Sequence, residues 1–138
     1  MEPATTLDEI ADGLIAWAIG EDRVRALWIE GESIGDLRRP YRKVRFHIAA
    51  DEPAFPGLVA DLEAALESAA RAKVVRTADT RRMAKEFVLR AGGLELSLIA
   101  EQTNLLAKRP RSEVAPLVDK TGHLTHVMDF SARRRGGA

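Results

Sequence analysis

An α+β domain with a mixed β-sheet covered by helices is the fold class this sequence predicts, and three observations predict it. Apolar residues recur at three- and four-residue steps over 7–19 and again over 56–69, the signature of amphipathic helices. Short apolar or alternating runs at 24–30, 42–50, 85–90 and 94–99 carry the two-residue period of strands. The order is helix, strand, strand, helix, then several strands, which fits helices packed on a mixed sheet. One domain accommodates all of it, since 138 residues bury roughly two thirds of their unfolded surface.

Composition narrows the functional classes. The chain is 46% hydrophobic and 30% charged, with 21 basic and 21 acidic residues. A net charge of zero argues against a dedicated nucleic-acid or membrane-surface binder, because both depend on a basic excess. The lack of cysteine excludes disulfides and thiolate zinc sites. No run approaches the ~18 apolar residues of a membrane span. The start, MEPATTLDEIADG, has neither the basic lead nor the apolar core of a signal peptide, so a cytoplasmic location is expected.

Thr6 and Glu9 form a capping-box pattern, in which a hydroxyl and a carboxylate satisfy amides at a helix start. Leu7, Ile10, Ala11, Leu14 and Ala18 make the apolar stripe, with Trp17 beside it as core, and Gly20 is the expected left-handed terminator. Residues 24–30 read as a largely buried strand, followed by a loop from Gly31 to Asp36. Along 42–50, Val44, Phe46 and Ile48 point one way and Lys43, Arg45, His47 and Ala49 the other. After Asp51-Glu52-Pro53, Pro56 opens a second helix with Leu58, Val59, Leu62, Ala65, Leu66 and Ala69 on its apolar face. Val74-Val75 begins a short strand that fades into the polar 77–82.

Gly92-Gly93 between 85–90 and 94–99 is a hairpin signal, because glycine accepts the positive φ of a tight turn. Residues 101–107 are ambiguous and read as a short helix. A last pair of strands is expected at 114–118 and 123–128, around the turn 119–122. The tail 131–138, with Arg133, Arg134 and Arg135, has no large apolar anchor and is expected to be disordered beyond a domain of 1–130.

Trp28-Ile29-Glu30-Gly31, a loop, and then the strand from Tyr41 to Ala50 resemble the opening of small nucleotidyltransferases of the aminoglycoside-adenylyltransferase kind. The likeness extends over most of residues 7–130, including the ending Val114-Ala115-Pro116-Leu117-Val118-Asp119. In that family a strand enters a glycine-serine turn, and the next strand carries two aspartates two residues apart. A later strand, after a hairpin, supplies a third carboxylate. Carried across, the glycine falls at Gly31 and the serine at Glu32, with Ser33 one step away. The two aspartates fall at Lys43 and Arg45, and the third carboxylate at Ser97, with Glu95 on the same face one pair away.

The chemistry of that exchange can be worked out from the side chains. Residues two apart on a strand share a face about 7 Å apart, so paired carboxylates there can converge on magnesium and a bound phosphate. Lysine and arginine offer no lone pair at neutral pH. The resemblance therefore implies a nucleotidyltransferase-like fold, degenerate at its catalytic carboxylates, that serves as a binding or interaction module without a cofactor. Two alternatives stand beside it. One is a working enzyme that moves a nucleoside monophosphate from a nucleoside triphosphate to an acceptor, with magnesium held by the displaced carboxylates Glu32, Asp36 and Glu95. The other is a non-catalytic nucleotide or anion binder using Gly31, Ser33, Lys43, Arg45 and Ser97.

The bland counterparts are a solvated strand face, with Glu95 as cross-strand partner, and a plain loop at 31–36. His47 reads as a hydrogen-bonded surface residue. His123 and His126, three apart on a strand, fall on opposite faces and do not form a joint metal site. The candidate partners are a second copy of the chain, another protein or a nucleotide, with no membrane and no nucleic acid expected.

Overall fold

The computed structural model describes residues 4–30, 44–80, 84–103 and 114–121. In chain order they form α1 (Leu7–Gly20), β1 (Ala26–Glu30), β2 (Val44–Ala50), α2 (Phe55–Ala70), β3 (Lys73–Asp79), β4 (Lys85–Ala91), β5 (Leu94–Gln102) and β6 (Val114–Asp119). The strands make one mixed sheet in the order β3-β4-β5-β2-β1-β6. Every neighbouring pair is antiparallel except β2 with β5 at the centre, which is parallel. The fold is α+β, as the pattern of elements predicts.

Helix α1 starts where Thr6 accepts the amide of Glu9 at 3.1 Å. The return half of the capping box is displaced by one residue. The Glu9 carboxylate accepts from the amide and hydroxyl of Thr5, at 3.2 and 3.0 Å, instead of from Thr6. Gly20 is the last helical residue and not a left-handed terminator; Glu21 follows in extended conformation. The ammonium of Lys120 donates to the Glu21 carbonyl at 2.8 Å, placing a cation at the negative end of the helix. The left-handed cap belongs to α2, where Arg71 takes φ 50° and donates to Glu9 at 2.7 Å. That ion pair ties the end of α2 to the start of α1.

Both helices lie on one face of the sheet. Leu7, Ile10, Leu14, Leu58, Leu62 and Leu66 meet Leu27, Ile29, Phe46, Ile48, Phe87, Leu89, Leu96 and Leu98 in a single apolar core, with Trp17 packed at its margin. Each such side chain contributes about 1.5–3 kcal/mol on leaving water. The helices cross closely at Gly13, where an added Cβ would collide with the carbonyl oxygen of Ala69.

Several elements differ from the sequence expectation. β3 does not fade after Val75 but runs on to Asp79. It is an edge strand whose residues beyond Val74 are exposed, so backbone pairing with β4 holds it and no apolar alternation is needed. β5 continues through Glu101 and Gln102, where a helix was expected, because parallel pairing with Ala49 and Ala50 extends it. Gly92 takes φ 57° in the two-residue hairpin turn, as expected. β6 pairs with β1, and its expected partner strand at 123–128 lies outside the described residues, as does the tail 131–138.

Candidate functional site

The parallel pair β2 and β5 builds the candidate site. Phe46 and Ile48 of β2 enter the helix-covered core, so Arg45 and His47 are on the opposite face. The ladder sets Arg45 beside Ser97, and Ser97 is in turn opposite Val88 of β4. Arg45 is exposed and Ser97 half-buried. The exposed guanidinium presents donors in a fixed fork and has no lone pair for a metal. Glu95 is two residues before Ser97 on the same face, and its carboxylate meets the guanidinium of Arg90 at 3.0 Å. Arg90, across the hairpin, is thus one cross-strand partner of Glu95.

The other candidates, Gly31, Glu32, Ser33, Asp36 and Lys43, lie outside the described residues. Arg45 and Ser97 are therefore brought together, and Glu95 stands one row away. His123 and His126 are likewise outside the description.

His47 corrects its sequence reading. It is 2% exposed, and its Nδ1 is 3.1 Å from Oε2 of the fully buried Glu101. Its ring stacks on Trp28, with centroids 5.2 Å apart and planes 17° from parallel. A carboxylate oriented on an imidazole is the arrangement used by general bases, but a base must reach its substrate and this pair is closed to solvent. The contact joins Nδ1 and Oε2 of two polar side chains buried on the face away from the helices. Glu101 was missed because its segment read as helical. Continuing the alternation Glu95, Ser97, Ile99 by one step would have placed it on the face of His47.

Among the described residues the carboxylates held below their ordinary range belong to the helical layer. Glu9 is lowered first by the donors of Thr5 and then by Arg71. Glu21 is lowered chiefly by its hydrogen bond from Arg23, whose own value is raised by Glu21 first and Asp61 second. These are clamps at the two ends of α1, and neither touches the pair Arg45–Ser97. A cavity of about 420 Å³, lined by Phe55, Pro56, Val59, Ala84, Asp79 and Lys85, opens where α2 begins. Its described lining belongs to α2 and to the ends of β3 and β4 and includes none of Arg45, Glu95 and Ser97.

No protein-family model matches the chain, and no curated protein matches it in sequence. Among the described residues no helix is long and apolar enough to cross a membrane. The class established is α+β, and the described residues place two helices on one face of a six-stranded mixed sheet.

Proposed function

We propose that the chain is a nucleotidyltransferase-like domain without the catalytic carboxylates, serving as a binding or interaction module in the cytoplasm. One observation carries the reading. Arg45 and Ser97 lie 52 positions apart in sequence and are register partners in adjacent parallel strands. The resemblance assigns both positions to one metal site, and neighbouring strands about 4.8 Å apart are what such a site requires. A guanidinium and a hydroxyl occupy them. Exchanging carboxylates for cations at Lys43 and Arg45 changes the local charge by about four units, which repels a divalent ion.

Melting temperature followed with ATP or GTP, with and without magnesium, tests this. No shift with either nucleotide is the expected outcome for an interaction module. A rise that ignores magnesium and is abolished by Lys43→Ala with Arg45→Ala would make the chain an anion or nucleotide binder. A magnesium-dependent rise accompanied by turnover of labelled nucleotide would overturn the proposal.

A further inference from the structure

The net charge of zero averages two opposite halves. Residues 1–70 hold 14 acidic and 7 basic side chains, and residues 71–138 hold 7 acidic and 14 basic. Among the described residues Lys73, Arg76 and Arg90 of the second half stand with Arg45 of the first on the sheet face away from the helices, while Arg71, Lys85 and Lys120 lie with the helical layer. α1 and α2 contain Asp8, Glu9, Asp12, Asp61, Glu63 and Glu67 and no lysine or arginine. On the sheet face away from them, Lys73, Arg76, Arg90 and Arg45 are exposed.

A β-bulge makes that face. Lys73 and Arg76 are three apart, so a regular strand would put them on opposite sides. The register shift between Val74 and Arg76 inserts Val75 as an extra residue, so Lys73 pairs with Arg90 and Arg76 with Val88. Arg90 and Val88 alternate with Phe87 and Leu89 of the core, so both pairs are on the face away from the helices. Bulges commonly re-aim a side chain in this way. The result is two rows: Lys73, Arg90 and Glu95 in one, and Arg76, Val88, Ser97 and Arg45 in the next. The rows are about 7 Å apart, and Arg76 and Arg45 are three strands, or about 14 Å, apart. Glu95 offsets Arg90, and Glu86 lies in the row beyond beside Ala78.

We infer that this face binds the sugar–phosphate backbone of nucleic acid, independently of sequence, with the acidic helices turned away. A protein partner, including a second copy, needs an apolar centre, since exposed ion pairs are worth little and are screened by salt. Among the described residues the exposed large apolar side chains are Ile19, on the acidic layer, and Val75. A polyanion needs no apolar centre, because release of its condensed counterions drives binding. Arginine supplies three of the four cations, and its planar fork suits phosphate oxygens. The inference names a partner for the binding module proposed above. It does not require the nucleotidyltransferase resemblance, and nucleotide melting shifts do not decide it.

The test is fluorescence anisotropy of a labelled oligodeoxythymidine with the full chain, against the variant Lys73→Glu with Arg76→Glu. Both positions are exposed on the edge strand, and unchanged melting verifies that the variant folds. The wild type is expected to bind at low salt, with log K falling against log salt at a slope of about −0.7 per phosphate, so about −2 for the three cations that Glu95 does not offset. The variant is expected to bind at least tenfold more weakly, with a slope shallower by about 1.4. Absence of binding at low salt would overturn the inference, as would binding that the two reversals leave unchanged. Equal, equally salt-sensitive binding to vesicles of anionic lipid would reassign the face to a membrane. Salt-sensitive self-association without oligonucleotide, lost in the variant, would reassign it to a second copy.

Discussion

Phe46 and His47 are consecutive residues of β2, both closed to water, and opposite physics holds them there. Phe46 faces the helices and is fully buried among leucines and isoleucines. His47 faces away, stacked on Trp28 and bonded to Glu101. Apolar burial is non-directional and tolerates any neighbour of the right size. A buried polar group is stable only with its partner in place, so one face is held by volume and the other by specific atoms.

Truncating each side separates the two. Phe46→Ala leaves a void between sheet and helices and is expected to cost about 3–5 kcal/mol, read as a lower urea midpoint at unchanged slope. His47→Leu keeps apolar volume but takes a hydrogen bond from buried Glu101, at an expected cost of about 1–3 kcal/mol. Adding Glu101→Leu to it should restore part of that loss, giving a coupling of about 0.5–3 kcal/mol in the double-mutant cycle. Strict additivity would mean that the two side chains do not act as a unit, and the contrast between the faces would fail.

The helix-covered face can be sharpened further at Gly13. Gly→Ala in a helix ordinarily gains about 1 kcal/mol. Here the new methyl meets the Ala69 carbonyl, which is backbone and does not swing aside. Forcing α1 off α2 should cost about 1–3 kcal/mol as overpacking, so Gly13→Ala is expected to lower the melting temperature. A rise would show that the helices have room to separate.

These residues also mark how far the sequence could be read. Periodicity identified both helices and the core face of β2, because the spacing of apolar residues follows from helix and strand geometry alone. It placed Phe46 correctly and left His47 on the surface, because a pattern of two shows which residues share a face but not whether that face is covered. Gly13 and Gly20 look alike in a helical pattern. Only the packing shows that Gly13 marks a helix crossing, while Gly20 has open space around it. The pairing of β2 with β5, which brings Arg45 to Ser97, joins residues far apart along the chain and leaves no local trace. The bulge at Val75 is equally silent in sequence, although the opposite charges of the two halves were there to be counted.

The smallest effect concerns the acidic helical layer, where charge works locally and is exposed. Glu9 is held below its ordinary value of 4.5 by the Thr5 donors first and Arg71 after them. A carboxyl whose value is lower in the folded than in the unfolded chain binds fewer protons when folded. Its stabilising contribution is complete above the unfolded value and disappears as pH falls through the folded one. Glu9→Gln should therefore melt slightly below the wild type at neutral pH, by a margin constant down to about pH 5 that closes on further acidification. Glu21, lowered chiefly by Arg23, should behave in the same way in Glu21→Gln. A margin for Glu9→Gln that widened toward acid would reverse the sign and show that the clamp from Thr5 and Arg71 does not favour the charged carboxylate.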